Sequence, residues 1–158
     1  MRRWLTSGWP TTTSGDPVAD AFDLQRFVDA QDAGRTYEQA LSELRAGRKH
    51  SHWVWFVFPQ ITGLGSSPMA REYAISGRAE ATAYLAHPVL GPRLLECARA
   101  LTELPGSDPE VVLGGIDAMK IRSSMTLFAA VAPDEPLFGE VLHQYYGGQG
   151  DPATTGLL

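Results

Sequence analysis

Two stretches of the sequence combine residue types that could bind or transform a small molecule. The first stretch, residues 48–60, reads Arg-Lys-His-Ser-His and then Trp-Val-Trp-Phe-Val-Phe-Pro-Gln, and a glycine-containing polar loop follows it. Cationic groups beside aromatic faces suit a planar or anionic ligand, through stacking and charge-assisted hydrogen bonds. The ligand-binding candidates of this stretch are Trp53, Trp55 and Gln60, and His52 is its candidate for general acid–base catalysis.

The second stretch, residues 117–128, places polar groups on a helix whose pattern otherwise indicates burial. Ile121 and Phe128 fall on one helical face, and apolar residues on the other side predict a central helix. A cation and two hydroxyls on such a helix need partners, because burying them unpaired is costly. Either Asp117 or Glu72 supplies an internal counter-ion, or a ligand supplies the partner. The ligand-binding candidates here are Lys120, Arg122, Ser123 and Ser124.

Both stretches also have a purely structural interpretation. Tryptophan and phenylalanine are commonly core residues, and Arg48 and Lys49 suit a solvated helix end. Because each stretch joins apolar bulk to polar groups that need partners, we expect the two to meet in space and to line one concavity. The side chains of Gln60 and Lys120 would then face the same region.

Catalysis in this site would rest on His52, Lys120 and Ser124. A serine nucleophile with a lysine base also needs an oxyanion hole. The sequence has no Gly-x-Ser-x-Gly elbow, no Gly-x-Gly-x-x-Gly fingerprint and no phosphate loop ending in Gly-Lys-Ser/Thr. Three function classes therefore stay open: a hydrolase or transferase acting on a nucleotide-like or ADP-ribose-like ligand, a non-catalytic ligand-binding module, and a protein-interaction module in which both stretches are core.

The sequence predicts neither a metal site nor a bound cofactor. His50 and His52 are two residues apart and diverge on a helix, and His87 and His143 offer no ligand spacing. Cys97 is the sole cysteine, so an internal disulfide and a cysteine-rich zinc site are excluded. Its place on an apolar helical stripe predicts an unreactive core residue.

Helical periodicity dominates the segments that must position these residues, which predicts an all-α fold. Thr36 and Gln39 have the spacing of a capping box, and Gly47 ends the apolar run behind them. The predicted helices are one ending at about Asp32, one from Thr36 to Gly47, one from Ala79 to Ala86, one from Pro92 to Pro105, the Lys120 helix and one from Pro136 to Gly147.

The aromatic block at residues 53–58 is the one segment that resists this pattern. Its aromatic and β-branched residues have high β-propensity, which favours a buried strand. A lone strand has no ladder partner, however, so a buried helix that ends at Pro59 fits better, with a short non-helical segment as the alternative. The fold class is therefore predicted as a compact multi-helical single domain.

Composition fits a globular protein of the cytoplasm. The 158 residues are 44% hydrophobic and 20% charged, which is typical of a folded chain. A formal charge of −5 argues against nucleic acid or an anionic membrane as partner. No apolar run approaches the roughly 18 residues of a membrane span, and no secretory signal is recognisable. The predicted partner is a small anionic or nucleotide-like molecule, and the oligomeric state stays open.

Several segments of the chain carry a family resemblance, namely residues 22–28, 52–60, 63–66, Met69, 84–91 and 120–128. Through them the chain resembles the bacterial domain-of-unknown-function family 1810 from about residue 21 to 158, which implies a compact multi-helical domain and no established activity. Some members carry the label calpastatin, but no pattern here supports protease inhibition. Members often have an acidic pair before the lysine, where this chain has Asp-Ala-Met at 117–119.

Residues 1–19 differ from the rest of the chain. The run from Thr11 to Pro17 is polar, rich in structure-breaking residues and without periodicity, which predicts a flexible N-terminal tail ahead of a single helical domain at 20–158. The alternative is a lid that Trp4 and Trp9 anchor over a site.

A chain that starts at Val18 should keep its fold, because the removed residues form no periodic apolar face and lie outside the resembling region. We expect the free energy of unfolding to fall by less than roughly 1–2 kcal/mol in urea denaturation. A larger loss would show that Trp4 or Trp9 packs on the domain.

Overall fold

The computed structural model describes residues 20–158, and these residues form an all-α fold, as predicted. Their only β pairing is an isolated parallel bridge between Ile61 and Ile75. The predicted tail, residues 1–19, lies outside the described part of the chain. The helices are α1 (Gln25–Asp32), α2 (Thr36–Ala46), α3 (Val54–Val57), α4 (Pro68–Glu72), α5 (Arg78–Ala86), α6 (Leu90–Thr102), α7 (Pro109–Leu113), α8 (Gly115–Val131), α9 (Pro136–Tyr146) and α10 (Pro152–Leu157).

Four helices begin with a capping side chain followed by proline. The side chains of Ser67, Asp108, Glu135 and Asp151 accept hydrogen bonds from backbone N–H groups in the first turns of α4, α7, α9 and α10. Proline suits the position after the cap, because its missing N–H would have no intrahelical partner there. Sequence periodicity found α9 but missed α4, α7 and α10, which are too short to display a repeating apolar face.

The predicted capping box at Thr36 is wrong. Thr36 is the first residue of α2, and its hydroxyl donates to the carbonyl of Ala33 at 2.6 Å. The cap position falls on Arg35, which has a left-handed backbone (φ 61°), as does Gly34 before it (φ 60°). This tight connection between α1 and α2 leaves no extended residue from which a side chain could cap the helix.

The aromatic block folds as a single helical turn with non-helical ends. Residues 54–57 form α3, and the N–H of Val57 donates to the carbonyl of Trp53 at 3.1 Å. Trp53 and Phe58 flank the turn with backbone angles outside the helical region. Both alternatives considered for this segment therefore hold in part: its centre is a buried helix and its two ends are non-helical.

Helix α8 lies at the centre of the fold and packs against α9, α5, α7 and α10. An aromatic series crosses the core beside it, in which the ring of Phe128 lies 5.5 Å from Tyr84 and 5.9 Å from Phe138. From Ile121 to Phe128 the helix is almost entirely buried, as its apolar pattern predicts. Its first turns are different, because Ile116 and Met119 are exposed. No helix within residues 20–158 has the length and apolar character needed to cross a bilayer.

An ion pair joins α1 to α5, and further hydrogen bonds join α1 to the segment before α5. The guanidinium of Arg26 lies 2.9 Å from the carboxylate of Glu80, whose side chain is only 3% exposed. Arg26 also donates to the carbonyls of Glu72 and Ala74, both at 2.9 Å. The N–H of Ser76 donates to the other oxygen of Glu80, so the carboxylate is satisfied although it is buried.

Replacing Arg26 by methionine should destabilise the fold by roughly 3–5 kcal/mol, because it leaves the Glu80 carboxylate buried without its counter-ion. Urea unfolding of R26M measures this loss. The matched control is R45M, which breaks the exposed pair between Arg45 and Glu96 and should cost less than about 1 kcal/mol. Equal losses in the two variants would contradict the structural role assigned to Arg26.

Candidate functional site

A cleft of about 420 Å³ opens where the loop after α2 meets the start of α8. One wall consists of Lys49 and residues 52–55. The other wall consists of residues 113–117, at the junction of α7 and α8, together with Lys120. Two ammonium groups, two indole rings, one imidazole and one carboxylate therefore face a single concave surface.

The buried carboxylate of Glu43 shapes the loop that forms the first wall. Its Oε1 accepts hydrogen bonds from the backbone N–H groups of His50 and Ser51, at 2.8 and 2.9 Å, and from the indole N–H of Trp53 at 3.0 Å. Its Oε2 accepts from the hydroxyl of Ser51 at 2.6 Å and from the amide of Gln39 at 3.2 Å. The loop is thereby folded back over the end of α2.

The protonation of Glu43 follows from these contacts. Burial alone would raise the pKa of its carboxyl group, but the hydrogen bonds donated by Ser51, His50 and Trp53 outweigh burial and lower the pKa to about 2. Glu43 is therefore ionised at neutral pH, and it acts as a fixed acceptor rather than as a proton donor.

Lys49 is buried in the cleft and paired, which corrects the interpretation of this residue as part of a solvated helix end. Its side chain is 5% exposed, and its ammonium lies 2.6 Å from Oδ2 of Asp117. The ammonium also donates to the carbonyl of Ser51 and lies 4.9 Å from the ring centre of Trp53. Its backbone N–H donates to the carbonyl of Val112 at 2.7 Å, which ties the loop to α7.

Lys120 is held much less tightly. Its ammonium lies 4.0 Å from Oδ1 of Asp117, at the limit of an ion pair, and 5.0 Å from the ring centre of Trp55. Its side chain is 25% exposed. Asp117 is therefore the counter-ion of Lys120 within residues 20–158, rather than Glu72, the alternative considered from the sequence. The contact of Glu72 with Arg26 is made by its backbone carbonyl. Asp117 is thus shared unequally, with Lys49 as its close partner.

Gly114 makes the second wall possible. Its backbone angles (φ 81°, ψ 158°) belong to a region that residues other than glycine rarely adopt. These angles allow α8 to begin immediately after α7. The first intrahelical bond of α8 runs from the N–H of Ala118 to the carbonyl of Gly114, so residues 115–117 have no helical acceptor for their N–H groups. Within residues 20–158 no side chain caps this end, and Asp117 is the acidic residue of the first turn. The first residues of α8 therefore line the cleft beside a carboxylate that complements the helix dipole.

The comparisons with known proteins place the chain in a family. Residues 21–158 match the family described as "Protein of unknown function (DUF1810)". The chain belongs to this family. A solved structure similar to the chain is that of the conserved hypothetical protein Rv1873 from Mycobacterium tuberculosis, with 50% sequence identity and a TM-score of 0.85 over 88% of this chain and 98% of that one. No curated protein matches the chain significantly.

The DUF1810 match contains every candidate residue named from the sequence, and the structure brings four of them together. His52, Trp53, Trp55 and Lys120 all line the cleft. Gln60 is not among the lining residues; its carbonyl accepts from the N–H of Ile75 in the isolated bridge. The two stretches therefore meet at their N-terminal parts.

The remaining candidates, Arg122, Ser123 and Ser124, lie outside the lining of the cleft. Arg122 donates to the carbonyls of Gln149 and Gly150, both at 2.9 Å. Ser123 donates to the carboxylate of Asp151 at 2.9 Å. Both residues thus attach the segment before α10 to α8. Ser124 is fully buried, and its hydroxyl has no hydrogen-bond partner within residues 20–158.

Sequence reasoning gave no site role to Glu43, Lys49 or the Gly114–Gly115 pair. A glutamate in the last turns of α2 has no sequence signal, because its partners come from a loop that folds back on it. The double glycine was a usable signal, since it marks a backbone turn where a ligand could approach closely. Cys97 is fully buried, and burial raises the pKa of its thiol to about 12, in agreement with the predicted core role.

The stabilising contribution of Glu43 should depend on pH. Since its folded pKa of about 2 is below the ordinary value of 4.5, the contribution is complete above pH 4.5 and is lost as the pH falls towards 2. We expect E43Q to be less stable than the unmodified chain by roughly 3 kcal/mol at pH 7, and the difference to shrink at pH 3.

Urea unfolding at pH 7, 5 and 3 measures this difference. Glu38 provides the control, because it lies on the same helix with an exposed side chain. E38Q should change stability by less than about 1 kcal/mol at each pH. A pH-independent difference between E43Q and the unmodified chain would contradict the assigned hydrogen-bond network.

Proposed function

We propose that the cleft binds a small ligand that carries a negative charge and a flat ring, as nucleotide-like molecules do. The observation that carries this proposal is the position of Lys120. Its ammonium lies over the ring of Trp55 in a concave site, and its one ion-pair contact within residues 20–158 is Asp117 at 4.0 Å. A weakly paired cation beside an aromatic ring is an arrangement that an anionic aromatic ligand complements.

The charge balance of the cleft supports an anion. Asp117 is the one carboxylate among the lining residues, and Lys49 neutralises it at 2.6 Å. Lys120, at 4.0 Å from Asp117, then remains as the more weakly compensated of the two cations. An anionic group on a ligand would supply the missing charge.

The shape of the cleft supports a ligand with a ring. Its volume of about 420 Å³ lies within the range of roughly 300–1,000 Å³ that is typical of small-molecule sites. Trp53 has no exposed surface, so it supports the neighbouring side chains and offers a ligand no contact area. Trp55 is half-buried, and with Ile116 it offers the apolar contact area.

Binding rather than turnover is the proposed activity. His52 and Lys120 line the cleft and could take part in proton transfer, but the candidate nucleophile Ser124 does not line it. Hydrolase or transferase chemistry on a nucleotide-like or ADP-ribose-like ligand would therefore have to use a nucleophile other than this serine. A cytoplasmic location remains a prediction.

A protein-interaction module is the second candidate function. Val111, Ile116 and Met119 are each more than two-thirds exposed, and they belong to α7 and to the first turns of α8. Exposed large apolar side chains on adjoining helices favour a contact surface. The surface adjoins the cleft, because Ile116 lines it.

Loss of Lys120 should separate binding from stability. We expect K120M to weaken binding of adenosine monophosphate at least tenfold, because the cation that would meet the phosphate is gone. Its free energy of unfolding should change by less than about 1 kcal/mol, since Asp117 keeps its ion pair with Lys49.

The free energy of unfolding of K49M should fall by about 1–3 kcal/mol, because Asp117 then keeps only Lys120, 4.0 Å away.

A thermal-shift screen with adenosine monophosphate, ADP-ribose, nicotinate and inorganic phosphate, followed by calorimetric titration, tests the proposal. R78M is the matched control, since it removes a positive charge from an exposed position on α5, outside the cleft. Mass spectrometry of the same mixtures detects turnover. If no probe binds the unmodified chain, or if K120M binds as tightly as R78M, the ligand proposal is wrong and the interaction surface becomes the leading candidate.

A further inference from the structure

Resting on the function proposed above, we propose that Trp55 selects the ring of the ligand. The ligand would be a heteroaromatic anion whose ring carries a hydrogen-bond acceptor in its plane, and the indole N–H of Trp55 would donate to that acceptor. The class includes nucleobase and pyridine derivatives and excludes anions with an all-carbon ring.

The two tryptophans of the cleft differ in how their N–H groups are satisfied. The indole N–H of Trp53 donates to the buried carboxylate of Glu43 at 3.0 Å. The indole nitrogen of Trp55 is equally inaccessible to solvent, yet it has no acceptor within the described residues. Buried donors are nearly always paired, because leaving one unpaired costs free energy. Trp55 therefore has an unused donor on a side chain that lines the cleft.

Lys120 is the charged group that lies beside this indole and is held weakly enough to move. Its ammonium lies 5.0 Å from the ring centre of Trp55, and its only ion-pair contact within residues 20–158 is the 4.0 Å approach to Asp117. An incoming anion would draw this ammonium away from the indole ring. The ring of the ligand would then lie edge to edge with the indole, with its in-plane acceptor opposite the indole N–H.

These contacts define two points of recognition a short distance apart. The negative charge meets Lys120, and an acceptor in the ring plane meets the N–H of Trp55. A ring without such an acceptor would leave the donor as unpaired as it is without a ligand, so it would bind without the gain of this hydrogen bond. Selection between rings of equal shape and charge follows from this difference.

Nicotinate and benzoate provide the test, because they have the same shape and charge and differ in one ring atom, a nitrogen acceptor in place of a C–H group. NMR titration of the full chain measures both affinities. We expect nicotinate to bind about tenfold more tightly than benzoate, the ratio that one hydrogen bond supports. W55F keeps an aromatic ring under Lys120 and removes the N–H, so the two probes should bind it with equal affinity. K120M should weaken both probes by the same factor.

Thermal unfolding of W55F checks that the variant is folded, and the comparison in the unmodified chain needs no variant. Equal affinity of the two probes for the unmodified chain, or a preference that persists in W55F, would overturn the selection by Trp55. Binding of adenosine monophosphate without binding of nicotinate would also overturn it. If none of the probes binds, including adenosine monophosphate, it is the proposed function itself that fails.

Discussion

The carboxylate of Glu43 is the constraint on which the cleft depends. A loop that leaves a helix end normally offers its N–H groups to water, but here two of them and an indole N–H converge on one buried anion. The anion is stable only because these donors replace its hydration. In return it fixes the direction in which Lys49 and Trp53 leave the backbone. The buried carboxylate of Glu43 thus holds the loop that forms the first wall of the cleft.

Asp117 plays the corresponding part on the second wall, but it serves two cations unequally. The close contact with Lys49 joins the loop to α8 across the base of the cleft. The same contact satisfies most of the electrostatic demand of Asp117, which leaves Lys120 weakly held. One lysine therefore joins the two walls, and the other is the cation available to the proposed ligand. Neither role is visible from residue type alone.

Sequence periodicity predicted the long helices well, since an apolar face that repeats over several turns follows directly from burial on one side. Periodicity failed where local geometry determines the structure. The predicted capping box at Thr36 is absent because the preceding residue, Arg35, has a left-handed backbone. The short helices α4, α7 and α10 begin with Ser-Pro or Asp-Pro and show no periodic apolar face. Trp53 and Trp55 became candidates because aromatic rings follow cationic groups in the sequence, and Lys120 because burying a polar group in an apolar helix is costly. Arg122 and Ser123 satisfy the same criterion by pairing with backbone carbonyls and with Asp151, and only coordinates distinguish such internal pairing from a ligand site.

The two indole rings of the cleft have a spectroscopic consequence. Four tryptophans occur in the sequence, two of them within the first nine residues and the other two, Trp53 and Trp55, in the same cleft wall. A chain without the leading segment would therefore emit its tryptophan fluorescence from the cleft alone. One emitter, Trp53, is sealed in the core beside Glu43, whereas the other, Trp55, shares its surroundings with a weakly held ammonium group. A change in emission intensity or wavelength would consequently report a change in the surroundings of Trp55, while the buried Trp53 contributes the emission of a core residue. No added dye is needed.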